Sequence, residues 1–192
     1  MTNELQLWAA FQRGSVDAYT ALYNGFTSQL YSYGMKFTAD KAIVEDAIHD
    51  LFCNLWTGRE RLTQPSFVKN YLFKSLRNIL LRKINKKDLV LDNEGKELDF
   101  HFELAIDEKL CQNEQIFQIQ KEVQQALEKL TSRQREIIYY RFYQNLSFEE
   151  IADIMDMQIR ATYKLTSRAL DNLRQYIHSS NIILLLLLFK VR

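Results

Sequence analysis

The sequence predicts an all-α protein built from two small helical domains joined by a flexible linker, and three observations carry that reading. Proline occurs once, at Pro65, and glycine five times in 192 residues, so the residues that make the tight turns of an all-β chain are missing. Hydrophobic residues, 47% of the chain, recur at intervals of three and four, which supplies cores laid out as helical stripes. Between about residues 88 and 113 that periodicity fades and acidic residues accumulate, separating one helical half from the other.

The elements follow in order. Leu5, Trp8 and Phe11, then Tyr19, Leu22, Tyr23, Phe26, Leu30 and Tyr33, predict two helices over roughly residues 4–37, punctuated at Gly14-Ser15, with Ser15 or Asp17 as the second cap. Asp40 to Trp56 forms the next, with Val44, Ala47, Ile48, Leu51 and Leu55 inward and Glu45, Asp46, His49 and Asp50 toward the other side. Thr57 to Ser66 is a polar loop. Phe67 to about Lys87 is a long helix whose apolar side is Leu72, Leu76, Ile79 and the aliphatic stem of Lys83, and whose other side carries Lys74, Arg77, Asn78 and Arg82. After the linker, Ile116, Ile119, Val123, Leu127 and Leu130 form a stripe. Thr131-Ser132-Arg133-Gln134 and Ser147-Phe148-Glu149-Glu150 both have the spacing of capping boxes, in which a hydroxyl and a carboxylate or amide satisfy each other's backbone N–H groups. The second box opens a short helix, Phe148 to Met155. A break at Asp156-Met157 leads into a last helix of about Ile159 to Ile177, with Ile151, Ala152, Ile154, Ile159, Ala169 and Leu173 facing inward.

A formal net charge of +1 says nothing about partners, but its distribution does. Lys69 to Lys87 carries seven cations and no acid, whereas Asp88 to Glu128 is strongly acidic, which suggests an anion-binding surface followed by an acidic connector. Cys53 and Cys111 lack metal-ligand spacing and fit a reducing, cytoplasmic setting. Met1 to Phe11 has no secretion-signal pattern. The apolar run Ile182–Phe189, as a helix of roughly 12 Å, is too short for a bilayer core of ~30 Å. It suits docking on another protein as a helix in a groove, with weak membrane-surface association through Lys190 and Arg192 as the other reading.

Three segments could carry chemistry. Leu146 to Leu173 has the helix-turn-helix pattern, which would present Arg160, Tyr163, Lys164, Ser167 and Arg168 to phosphates and base edges; a plain three-helix core with a solvated basic face is the alternative. The basic helix interleaves cations with Tyr71 and Phe73, as a single-strand-binding surface would, although a solvated face over core aromatics has the same composition. Glu45, Asp46, His49 and Asp50 invite a metal or acid-base reading, but one histidine without a second ligand cluster or a phosphate loop suits a protein-docking face better, with Phe52 and Trp56 as its apolar component. No nucleophile constellation stands out, so no enzyme, cofactor or metal is expected.

In this order the segments resemble the extracytoplasmic-function group of sigma-70-type RNA polymerase sigma factors over nearly the full chain. The group's second-region helix reads approximately E-D-A/V-x-Q-E/D-x-F-x-x-x-W/Y; Glu45-Asp46-Ala47-Ile48-His49-Asp50-Leu51-Phe52 and Trp56 are similar, with His49 where Gln is usual. Tyr71-Leu72-Phe73-Lys74, Asn78 and Arg82-Lys83 look like the stretch that follows. Leu130 to Glu136, Leu146 to Ala152, Arg168-Ala169-Leu170 and Leu173-Arg174 resemble the fourth region. The resemblance implies that Glu45, Asp46, His49, Asp50, Phe52 and Trp56 meet the clamp helices of the core polymerase's largest subunit. It implies that Thr63, Ser66, Lys74, Arg77, Asn78, Arg82 and Lys83 hold the opened −10 element, the loop Thr63 to Ser66 taking a flipped-out base. Arg160, Tyr163, Lys164, Ser167 and Arg168 would read the −35 element, and the acidic linker would run through the RNA exit path.

The implied organisation is residues 1–90 for region 2, 91–112 for the linker, 113–179 for region 4 and 180–192 for the tail. The implied partners are core RNA polymerase (clamp helices and flap), promoter DNA, and an anti-sigma factor or another targeting protein, with no small-molecule substrate. The chain departs from the family at Ala161-Thr162, where Thr-Val is usual, and at Tyr163, a position often basic. A hydroxyl at a core position and a lost cation predict altered or weakened −35 recognition, with another protein supplying targeting. A helical adaptor, or a LuxR-like DNA-binding regulator without sigma activity, is the alternative that the motifs taken singly leave open.

Overall fold

The computed structural model describes residues 4–90, 100–102 and 114–177, with the side chains of 86–90, 114–117, 119 and 120 left aside. The expected tail, most of the expected linker, and the side chains of Lys86, Lys87, Ile116 and Ile119 therefore lie outside the described residues. The chain forms two compact units, Met1–Asp99 and Phe100–Arg192. The described residues are helical, without strands.

The first unit packs α1 (Glu4–Gln12), α2 (Val16–Gly34), α3 (Lys41–Gly58) and α4 (Val68–Val90), with a short 3₁₀ turn, Arg59–Arg61, after α3. Gly14, at φ 89°, turns the chain between α1 and α2 in a conformation other residues resist. Ser15 then caps α2, its hydroxyl accepting from Ala18 N at 3.2 Å, and Asp40 caps α3 by accepting from Ala42 N at 3.1 Å. Trp8, Leu30, Tyr33, Val44, Leu72, Leu76 and Leu80 are sealed in the core. Tyr33 stacks on Phe73 at 4.7 Å, and Trp8 meets Tyr71 edge-on at 5.1 Å. At the end of α2, Gly34 lets α3 and α4 close in. A Cβ there would lie 2.6 Å from Val44 Cγ1 and 3.6 Å from Leu80 Cδ1.

The second unit contains α5 (Glu114–Glu128), α6 (Ser132–Ile138) running into a π-helical turn (Tyr139–Tyr143), α7 (Phe148–Ile154) and α8 (Ile159–Tyr176). Both capping boxes form: Thr131 N donates to Gln134 Oε1 at 3.1 Å, and Ser147 N to Glu150 Oε2 at 2.7 Å, with the reciprocal bonds present. The turn from α7 to α8 passes through Asp156 at φ 52°, and Met157 N closes it by donating to Ala152 O at 2.9 Å. Asn172 Nδ2 donates to Gln134 Oε1 at 3.3 Å, which ties α8 to α6.

Two placements differ from expectation. Phe100 and Phe102, read as linker, are buried; Phe102 packs against Tyr139 and Tyr143, each at 5.2 Å, and its carbonyl accepts from Gln124 Nε2 at 3.3 Å. Burial of the two aromatic rings offsets the cost of ordering the short segment Phe100 to Phe102. Ile159, expected inward, is exposed, because the first residue of α8 precedes the turn that packs on α7.

Candidate nucleic-acid and partner-binding surfaces

The acidic ridge lies along α3. Glu45, Asp46 and His49 are exposed and Asp50 is half-buried, while Val44, Ala47, Ile48, Leu51, Phe52 and Leu55 line the inner side. The 3.6-residue period puts Glu45, Asp46 and His49 on the face opposite Val44, Ala47, Ile48 and Leu51. Phe52 is only 2% exposed, so it supports the ridge from beneath instead of meeting a partner. It packs against Tyr23 at 4.8 Å and Tyr19 at 6.0 Å, and the Tyr19 hydroxyl donates to Phe52 O at 3.2 Å. Burial is the main reason the Tyr19 hydroxyl holds its proton above the ordinary tyrosine range. Trp56, half-buried, is held by Tyr19 at 5.0 Å and by the Arg59 guanidinium at 4.7 Å. Next to His49 the ridge carries an exposed thiol: Cys53 Sγ lies 3.4 Å from His49 Nε2.

The basic helix sorts its residues by face. Phe67, just before α4, and Tyr71, Lys74, Asn78 and Arg82 follow one another at steps of four and three, on a single side. Phe67, Asn78 and Arg82 are exposed, and Tyr71 and Lys74 half-buried; Arg82 Nε donates to Asn78 O at 3.2 Å. Thr63 and Ser66 are exposed in the loop ahead of it. Phe73 is in the core, as its stacking on Tyr33 requires, and offers no ring to a base.

Two residues expected at DNA are placed elsewhere. Arg77 is 7% exposed and belongs to the interior. Lys83, one residue and about 100° around the helix from Arg82, turns to α3: its Nζ lies 2.7 Å from Asp50 Oδ2 and 3.6 Å from Asp46 Oδ2. The hydrogen bond to Asp50 raises its affinity for the proton above the ordinary lysine range. The sequence put the Lys83 stem on the apolar side while counting its charge with the −10 cations; the packing of α3 on α4 shows which carboxylates await it.

All five residues expected on the helix-turn-helix face, Arg160, Tyr163, Lys164, Ser167 and Arg168, are exposed on α8, while Thr162, Thr166, Ala169 and Leu173 face inward. The Thr162 hydroxyl is fully buried but not unsatisfied. It donates to Gln158 O at 3.1 Å, and Thr166 repeats the arrangement on Thr162 O at 3.0 Å. The hydroxyl expected to disturb the core is absorbed by the helix's own backbone, which removes the packing argument for weakened −35 recognition. Sequence reasoning also missed what holds Tyr163. Its ring lies on Phe148 at 4.0 Å with planes 33° apart, and the Arg141 guanidinium lies over the same Phe148 ring at 4.9 Å. Arg141 Nη1 in turn donates to Leu146 O at 2.8 Å. Among the described residues, no cluster of His, Cys, Asp and Glu could hold a metal ion, and no helix is long and apolar enough to cross a membrane.

The pattern described as Sigma-70 region 2 matches residues 22–89, and that described as Sigma-70, region 4 matches residues 126–175. The chain is 22% identical over 162 residues to the ECF RNA polymerase sigma factor SigX of Bacillus subtilis (strain 168), covering 83% of this chain and 84% of that protein. Among solved structures it is similar to the sigma factor RpoE of Bartonella quintana in complex with the anti-sigma factor NepR, with a TM-score of 0.60, 19% identity and coverage of 84% of this chain and 97% of that one. It is also similar to CnrH in complex with the cytosolic domain of CnrY, with a TM-score of 0.59, 18% identity and coverage of 88% and 94%. At those identities the structures speak for the fold. The two helical units, each matched by its own regional pattern, make this chain a member of the sigma-70 family of sigma factors. Its similarity to SigX points, within the family, to the extracytoplasmic-function type, and the chain serves transcription initiation as a DNA-binding regulator.

Proposed function

We propose that the three surfaces divide the work of initiation. The α3 ridge (Glu45, Asp46, His49 and Asp50 over Phe52 and Trp56) docks on the clamp helices of the polymerase's largest subunit. The stripe Phe67, Tyr71, Lys74, Asn78 and Arg82, with Thr63 and Ser66, holds the unpaired −10 strand. Arg160, Tyr163, Lys164, Ser167 and Arg168 read the −35 duplex. The observation that carries this division is the sorting on α3 and α4: anionic residues stand on one face, and the aromatic and cationic stripe turns to another, so protein and DNA need not compete for the same side chains.

Opening follows from capture. Unstacking a base costs a few kcal/mol, and a loop that shelters the base together with cations along the backbone offsets that cost. Such work needs no catalytic group, nucleotide or metal from this chain. The acidic stretch from residue 91 would follow the RNA exit path, where its charge stands in for nucleic acid. A subunit of the polymerase acts where the polymerase is, in the cytoplasm. An anti-sigma factor, of the kind bound to RpoE, would silence this protein by covering these faces.

The test is reconstitution with purified core polymerase. Asp46→Lys should lose core binding. Asn78→Ala should keep core binding and lose promoter opening, read by permanganate reactivity of unpaired thymines. Arg168→Ala should lose discrimination at −35 alone. Equal loss of all three activities in every variant would defeat the division of labour.

A further inference from the structure

We infer that Tyr163 is a specificity-determining residue that reads a thymine in the −35 element through the base's C5-methyl group. The inference rests on the proposed role of α8 and adds the base to it.

Tyr163 is the one uncharged large side chain among the exposed Arg160, Lys164, Ser167 and Arg168, and it remains 50% exposed. It is also held in place. Phe148, from α7, supports the ring at 4.0 Å; the Arg141 guanidinium lies over Phe148; and Arg141 is itself tethered to the Leu146 carbonyl. Three elements, the π-helical turn, α7 and α8, thus converge on one solvent-facing phenol. A ring fixed in this way loses little rotational freedom when it binds, unlike the free arginine or lysine usual at such a position.

The chemistry selects the target. A phosphate calls for charge or a strong donor, and Arg160, Lys164 and Arg168 supply charge on either side. Guanine calls for a bidentate cation and adenine for an amide. An aromatic surface in the major groove finds its apolar match only in the thymine methyl. Because the phenol is neutral, its contact should add nothing to the salt dependence of binding, which counts neutralised phosphates.

Uracil pairs as thymine does and lacks only that methyl. Holoenzyme assembled from the full chain and core polymerase is titrated onto a promoter located by transcript-start mapping, with each −35 thymine replaced in turn by uracil. One replacement is expected to weaken wild-type binding about fourfold, the equivalent of roughly 0.8 kcal/mol for one buried methyl. Tyr163→Phe, which keeps the ring, retains that sensitivity. Tyr163→Ala loses it and binds the unmodified promoter about fourfold more weakly, with an unchanged salt slope. Indifference of the wild type to every uracil while a scrambled −35 element still weakens binding overturns the inference. So does a Tyr163→Ala protein that melts earlier yet keeps the uracil effect, since the ring is then only a strut. Indifference to scrambling removes the −35 role of α8 itself, a different failure with a different signature.

Discussion

Replacing Gly34 by alanine tests how tightly the first unit is wound. The new methyl would meet Val44 Cγ1 at 2.6 Å, with Val44 Cγ2 at 3.5 Å and Leu80 Cδ1 at 3.6 Å. Val44 is fully buried, so the clash cannot be relieved by swinging a side chain into water. Overpacking of this kind costs about 1–3 kcal/mol. Removing a glycine returns up to about 1 kcal/mol through helix propensity and a less disordered unfolded chain. The expected net loss is about 1–2 kcal/mol. Val44→Ala alone leaves a cavity and should cost about 2–3 kcal/mol. In the double variant the alanine methyl occupies the vacated space, so the losses should fall short of additive by about 2 kcal/mol. Tryptophan fluorescence during urea unfolding reads this directly, because both tryptophans, Trp8 and Trp56, belong to the unit Met1–Asp99. A Gly34→Ala protein as stable as the wild type, or strictly additive losses, would refute the reasoning.

Further outcomes follow from other contacts. Lys83→Met frees Asp46 and Asp50 from their shared cation; stability should change by less than about 1 kcal/mol, as for exposed ion pairs generally, while association with core polymerase becomes faster and more salt-sensitive in stopped-flow mixing. Phe102→Ala should destabilise the second unit by about 3 kcal/mol in hydrogen exchange and leave the tryptophan transition unmoved. Thr162→Val, which exchanges a self-satisfied hydroxyl for a methyl, should fall within about 1 kcal/mol of the wild type in thermal melts. Burial pushes the Tyr139 hydroxyl far above its ordinary value of 10.0, despite a 2.7 Å hydrogen bond donated by Gln144. The folded form resists an ionisation open to the unfolded chain, so the second unit should keep full stability below about pH 10 and lose it progressively above. Alkaline unfolding followed by tyrosinate absorbance checks this; an unchanged midpoint in Tyr139→Phe would contradict it.

Signals confined to one element were legible in the sequence, and those that depend on a neighbour were not. The capping boxes at Thr131 and Ser147 needed only a three-residue spacing, and both form. The outer face of α8 followed from helical periodicity. Periodicity already turned the Lys83 stem toward the apolar side and Arg82 away from it, but the carboxylates that hold Lys83 are invisible until α3 is packed beside α4. Tyr71 and Phe73 are both aromatic, but two residues along a helix is more than half a turn, and only Phe73 reaches Tyr33. Phe100 and Phe102 stood out as aromatics among acids, a hint that a composition-based reading of the linker passed over. Phe148 and Tyr163, fifteen residues apart in the sequence, come together only through the left-handed turn at Asp156.

The inner face of α8 meets its own polar needs, with Thr162 and Thr166 bonded to the carbonyls one turn back. If the outer face reads the −35 element as proposed, anchorage and reading fall on opposite sides of one cylinder. On the proposed role of α8, drift at Arg160, Lys164, Ser167 or Arg168 would redirect the protein to other promoters while the scaffold is inherited intact. The same separation makes these four positions natural sites for engineering new target preferences, with Tyr163 the exception, because changing it also disturbs its seat on Phe148.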